Sequence, residues 1–233
     1  MRFRAVLFDV GETLVHPTPS FPELFARIVG QAGHERDPDD VVAASAAVMH
    51  RFSEASRDGD RWTLSPEASR AFWLGVYERM LASLGLPSTD GLRETLYEGF
   101  TDLGNYALFD DVPETLDTLE AAGVTLGIVS NFEAWLEDLL ARLGVRDRFP
   151  VRVISGVEGL EKPDPDIYRL ALERAGAPAV DVAFVGDNPE FDVVPPAAMG
   201  MFPVLVDRRA RHPQHDGVRI TDLRALVDAL EIA

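Results

Sequence analysis

The sequence predicts an α/β protein, a doubly wound parallel sheet with an all-helical insertion after its first strand. Three observations carry this. Short apolar runs alternate with helical periodicities from Phe109 to the C-terminus, as in strands joined by crossover helices. Residues 16 to 105 carry only the helical period, with no convincing strand. One further apolar run, Ala5 to Phe8, precedes that segment and so belongs with the later strands.

That first run ends abruptly in Asp9, Gly11 and Glu12, and reads as a buried strand delivering Asp9 to a loop. Ligands of open parallel sheets bind beyond the carboxyl ends of the strands, although an aspartate there equally suits a helix N-cap. His16-Pro17-Thr18-Pro19-Ser20 reads as a linker, because proline disfavours helix and sheet. Phe21, Leu24, Phe25, Ile28 and Val29 then mark an amphipathic helix. A second is entered at Asp37-Pro38-Asp39 and continues through Val41, Val42, Ser45, Val48, Met49 and Phe52. Ser65-Pro66-Glu67 opens a third, carried by Phe72, Val76, Tyr77, Met80, Leu81 and Leu84 and stopped by Gly85-Leu86-Pro87. A fourth runs from about Asp90 to Leu103.

Beyond Phe109, Pro113 opens a helix with Leu116 and Leu119 on its apolar side. Val124 to Val129 is a strand ending at Ser130-Asn131, and Trp135, Leu136, Leu139, Leu140 and Leu143 form the next helix face. Val151 to Ile154 is a strand. Lys162-Pro163-Asp164-Pro165 is a stiff loop leading into a helix through Ile167, Leu170, Ala171 and Leu172. Val182 to Val185 stops at Gly186-Asp187, Val204 to Val206 comes next, and Thr221-Asp222-Leu223 starts a terminal helix. The expected domains are a Rossmann-like core of residues 1–15 and 106–233 and a helical domain of residues 16–105.

Composition narrows the function. A net charge of −17 argues against nucleic-acid and anionic-membrane partners, which need a basic footprint, and would welcome a cation. The absence of cysteine excludes disulfides, thiolate metal sites and a cysteine nucleophile. No apolar run is long enough to span a membrane and the N-terminus does not read as a signal peptide, so the expected location is cytoplasmic. Lys162 is the only lysine in a chain whose other basic residues are arginines, and the two cations are not interchangeable at a tight site. Oligomeric state has no signature here.

Three strands thus end in polar groups, at Asp9, Ser130 and Asp187, with Lys162 in a loop between the second and third. Parallel neighbouring strands would bring them to one crevice. Each also has a plainer reading: Ser130 as a helix cap, Lys162 as a solvated charge, Asp187 and Asp192 as loop acids. Taken in order, Phe8-Asp9-Val10-Gly11-Glu12-Thr13-Leu14, Val129-Ser130-Asn131, Lys162-Pro163-Asp164-Pro165 and Gly186-Asp187-Asn188-Pro189-Glu190-Phe191-Asp192 resemble the four motifs of the haloacid dehalogenase-like hydrolase superfamily. The insertion resembles the cap domain of the subgroup in which a helical bundle closes over the active site.

The resemblance implies a phosphatase acting on a small phosphorylated metabolite, with Asp9 as the nucleophile that forms an aspartyl phosphate. It implies Mg²⁺ held by Asp9, the Gly11 carbonyl, Asp187 and Asp192, a hard cation on oxygen ligands. Lys162 would neutralise phosphoryl or nucleophile charge, with Ser130 and Asn131 on the substrate side. One position departs from the pattern. Phosphatases of the superfamily usually carry a second aspartate, an acid and base, two residues after the nucleophile, where this chain has Gly11. Glu12 is a candidate substitute or a residue that turns away. Without that acid, activated esters should be better substrates than alkyl phosphates. The alternatives are a weakly catalytic binding or regulatory protein and, less favoured, a haloacid dehalogenase. His16, Phe21, Trp62 and Trp73 are candidates for a substrate-facing surface of the helical domain or, for the aromatics, for its packing.

Overall fold

The computed structural model describes residues 2–45, 48, 51, 54, 59 and 61–232. The chain separates into two compact units, residues 1–15 with 108–233, and residues 16–107. Its strands are β1 (Ala5–Phe8), β2 (Val15–Pro17), β3 (Tyr106–Leu108), β4 (Thr125–Ser130), β5 (Val151–Ile154), β6 (Val182–Gly186), β7 (Phe202–Val206) and β8 (Arg219–Ile220). Six of them form one sheet in the order β5-β4-β1-β6-β7-β8, with parallel neighbours throughout.

Parallel strands need crossovers, and the sequence supplies a helix for each long one. β1 lies at the centre, pairing Phe8 with Ile128 on one side and with Val185 on the other. Chain order reverses there, so the residue after β1 enters the crevice where such sheets bind ligands. Both faces are covered. Ala5 and Leu7 pack with Val129, Val153 and Phe184 against Ile167, Tyr168 and Ala171 of the helix Pro165–Ala175. The intervening Val6 and Phe8 point the other way and are equally inaccessible to water. A continuously apolar β1 is the sequence mark of a strand buried on both faces. Gly127 has a packing reason: a Cβ there would lie 2.6 Å from Leu7 Cδ2 and 2.8 Å from Val151 Cβ.

The second unit contains the helices Phe21–Gln31, Pro38–Ala44, Pro66–Ser83 and Asp90–Thr101. Each begins at a side-chain cap: Ser20, Asp37, Ser65 and Thr89 accept from the backbone amides of Glu23, Asp39, Ala68 and Leu92. Such caps satisfy amides that have no partner within the helix. Phe25, Val29, Val76, Tyr77, Met80, Leu96 and Phe100 are buried. Met49 and Phe52, expected on the second helix, lie outside the described residues.

Two expectations need correction, and one strand was not foreseen. The proline-rich segment is not wholly a linker, because β2 includes His16 and Pro17 and pairs with β3 in a two-stranded ribbon. Proline is tolerated there because such a short pairing leaves it outside a continuous hydrogen-bonded ladder. A sixth sheet strand, Arg219–Ile220, is not legible in the sequence because two residues carry no periodicity. The last helix begins at Ala225 rather than Thr221. Among the described residues, no helix is long and apolar enough to cross a membrane.

Candidate active site

Asp9 comes directly after β1, and its amide continues the ladder by donating to the Val185 carbonyl at 2.8 Å. Asp9 is 7% exposed, and the chain then enters a tight turn rather than a helix: the amides of Leu14 and Val15 both donate to the Val10 carbonyl, at 2.8 and 3.0 Å. Asp9 is therefore not a helix cap. Lys162 is equally remote from the solvated charge it might have been. It is 3% exposed, and its Nζ donates to Asp9 Oδ1 at 2.8 Å and to Asp192 Oδ1 at 2.7 Å. Ser130, buried at the end of β4, donates its hydroxyl to the same Asp9 Oδ1 at 3.2 Å. Both contacts fall on one carboxylate oxygen, and among the described residues no group donates to Oδ2.

The supporting contacts explain why these groups hold still. Asn131 clamps the Lys162 backbone from both sides, its Nδ2 donating to the carbonyl at 2.8 Å and its Oδ1 accepting from the amide at 2.7 Å. Asp192 lies in the wide helical turn Pro189–Val193, where its Oδ2 accepts from the Asn188 amide at 3.0 Å. The buried Tyr168 hydroxyl donates to the Phe191 carbonyl at 2.5 Å, tying that turn to the helix below. Gly186 is required for the same reason: a Cβ there would sit 2.3 Å from Asp192 Cγ.

Carboxylate oxygens of Asp9, Asp187 and Asp192 lie within 4.8 Å of one another. Burial and the charges of Asp9, Asp192 and Glu12 push the Asp187 carboxyl well above its ordinary range. Burial raises Asp192 to about 6, against the opposing pull of Lys162. Lys162 is held above the usual lysine range because Asp192 and Asp9 outweigh its desolvation. Three carboxylates facing one lysine leave the cluster short of positive charge, and its donors are hard oxygens. That donor set fits Mg²⁺. No group among the described residues donates to the Asp187 side chain.

Of the residues singled out in the sequence, Asp9, Ser130, Asn131, Lys162, Asp187 and Asp192 come together. Gly11 lies in the turn beside Asp9, and a Cβ placed on it would meet no atom within 4 Å. Glu12 takes a left-handed φ of 56° and its carboxylate pairs with Arg209 Nη2 at 2.8 Å. Arg208 and Arg209 are neighbours of the site that the motifs do not point to. Their signal in the sequence is the run of four basic residues among the five of Arg208-Arg209-Ala210-Arg211-His212, directly after an apolar strand in an acidic chain. Of the two readings offered for the aromatics, packing within the helical unit holds: Trp62 stacks on Phe72 at 4.8 Å, Phe21 lies 4.7 Å from Phe100, and Trp73 meets Tyr77 at 6.0 Å. The His16 ring nitrogen contacts the Pro17 carbonyl at 2.8 Å.

The fold and site define an α/β protein with an aspartate at the switch point of an open parallel sheet, joined by two more acids and a buried lysine. Residues 3–200 match the family model described as haloacid dehalogenase-like hydrolase, and the chain belongs to that family. It is 31% identical over 215 residues to haloacid dehalogenase-like hydrolase domain-containing protein 3 of Danio rerio, covering 91% of this chain and 88% of the relative. It is 30% identical over 229 residues to phosphoserine phosphatase of Thermus thermophilus, covering 95% and 89%. The HAD-hydrolase YfnB of Bacillus subtilis shares the fold with a TM-score of 0.80 over the full length of both chains, at 18% identity.

Proposed function

We propose that this protein is a Mg²⁺-dependent phosphatase that hydrolyses a small phosphorylated metabolite through an aspartyl phosphate on Asp9. The observation that carries the reading is the buried arrangement in which Lys162 bridges Asp9 and Asp192 while Asp187 stands beside them, with no donor to its side chain among the described residues. Similarity to a phosphoserine phosphatase supports a phosphate ester as substrate.

Asp9, Asp187 and Asp192, with the Gly11 carbonyl, would hold Mg²⁺, which when bound offsets the repulsion between a phosphate and these carboxylates. Asp9 Oδ1 is committed to Lys162 and Ser130, so we assign attack on phosphorus to Oδ2. The new bond is Asp9 Oδ2 to phosphorus, and the bond broken joins phosphorus to the ester oxygen, which departs with the electron pair. Water then attacks phosphorus and breaks its bond to Asp9 Oδ2, which restores the carboxylate; both water protons leave with the phosphate as dihydrogen phosphate, which loses one to solvent at neutral pH. Lys162 and Ser130 both donate to Asp9 Oδ1 and so orient its carboxylate.

No side chain at position 11 protonates the leaving oxygen, and Glu12 is engaged by Arg209. Aryl and acyl phosphates, which leave without a proton, are therefore the better substrates. The test is hydrolysis of p-nitrophenyl phosphate and of alkyl phosphates by purified protein, with Mg²⁺ and with chelator, alongside Asp9→Asn. Mg²⁺-dependent turnover of the aryl ester, lost in Asp9→Asn, is expected. Rates indistinguishable from Asp9→Asn under every condition would instead favour a scaffold retained for binding.

A further inference from the structure

Two consecutive arginines grip the turn that carries Asp9. Arg208 Nη2 donates to the Thr13 carbonyl at 2.8 Å and to Asp111 Oδ1 at 3.0 Å, while its Nη1 donates to Asp111 Oδ2 at 2.7 Å. Arg209 meets Glu12 from the same loop. The loop is itself rigidly built. Asp207, 3% exposed, accepts from the amides of Arg211 and His212 at 2.7 and 2.9 Å and from Arg219 Nη1 at 2.9 Å. Glu12 and Asp187 line one cleft with Arg208, Arg209, Arg211 and His212. The Glu12 carboxylate therefore shares the cleft with Asp187.

We propose that Arg209 is a positioning residue that holds the Glu12 carboxylate on itself, away from the neighbouring Asp9, Asp187 and Asp192 cluster, and thereby lowers the cluster's affinity for its cation. This rests on the reading that the cluster binds Mg²⁺. Glu12 is three residues from Asp9, next to Gly11 whose carbonyl is a candidate ligand, and on the rim of the cleft that contains Asp187. Its side chain is 29% exposed and that of Arg209 is 39% exposed, so the pair is accessible enough to open without disturbing the core. With the pair closed, the Glu12 charge is spent on the guanidinium. With it open, a fourth carboxylate faces the cation site.

The experiment is calorimetric titration of the whole protein with Mg²⁺, comparing wild type, Arg209→Gln, Glu12→Gln and the double variant. Arg209→Gln is expected to bind Mg²⁺ about two- to fivefold more tightly than wild type, the range of a partly exposed ion pair. Loss of the Arg209 charge also contributes, so the same substitution in the Glu12→Gln background should give less than half the gain on a logarithmic scale. Arg209→Lys keeps the charge partner and should bind like wild type, which separates positioning from misfolding. An Arg209→Gln affinity equal to or weaker than wild type, or an equal gain in both backgrounds, overturns the proposal. A wild type that binds no Mg²⁺ overturns the parent reading and this one with it.

Discussion

Replacing Lys162 by methionine tests the electrostatic core of the site most directly. The side chain is 2% exposed and lies 2.8 Å from Asp9 and 2.7 Å from Asp192, whose side chains are 10% and 1% exposed. At an effective dielectric constant of about 20, each such contact is worth on the order of 4–6 kcal/mol of attraction, most of which is offset by desolvating three ions. Methionine nearly preserves the volume but leaves two buried carboxylates facing each other with no cation. Removing one partner of a buried pair typically costs about 3–5 kcal/mol. Urea denaturation of the metal-free protein at pH 7 should therefore show Lys162→Met destabilised by about 3 kcal/mol or more. The gap has a defined pH dependence. Burial already raises the Asp192 carboxyl and Lys162 opposes that rise, so without the lysine it titrates further above its unfolded value, destabilises at neutral pH and ceases to do so once protonated. The difference from wild type should narrow as the pH falls from 7 toward 4. Mg²⁺ should narrow it too, by binding the folded form of the variant. A difference below about 1 kcal/mol at pH 7, or one that widens in acid, would refute the assignment of Lys162 as the cluster's internal counterion.

Gly11→Asp has room for its Cβ, which would meet nothing within 4 Å, and should raise alkyl phosphate turnover by about 10² or more while changing p-nitrophenyl phosphate less, as steady-state kinetics on both will read. Gly186→Ala drives a methyl into Asp192 and should weaken Mg²⁺ binding about tenfold or more by calorimetry. Asp111→Asn removes a carboxylate that accepts from Arg208 and from the Leu223 amide, and should destabilise by about 3 kcal/mol at pH 7. Arg208 and that amide hold the Asp111 carboxyl below its ordinary value of 3.8 despite its burial. Its stabilisation is therefore present above that pH and lost as the pH falls through the lower folded value, so wild type and Asp111→Asn should converge in acid denaturation series.

Much was legible because local chemistry is written in adjacent residues. Ser65-Pro66-Glu67 opens a helix since a hydroxyl cap and a first-turn proline act within one turn, and β1 reads as doubly buried because every residue in it is apolar. The ordered motifs likewise placed Asp9, Ser130, Lys162 and Asp187 at strand ends and their loops, where a parallel sheet must gather them. The ribbon of β2 and β3 was hidden because pairing across nearly ninety residues, from Val15–Pro17 to Tyr106–Leu108, leaves no local pattern.

For Asp9 and Glu12 the division is sharpest. The sequence by itself determined that a carboxylate comes after the first strand, that position 11 lacks an acid and that a second carboxylate lies next to it. Tertiary structure alone decided what each does: Asp9 meets a lysine 153 residues away, while Glu12 is turned onto Arg209. The physical reason is that a side chain's charge is chosen locally, whereas its counterion is chosen by the fold.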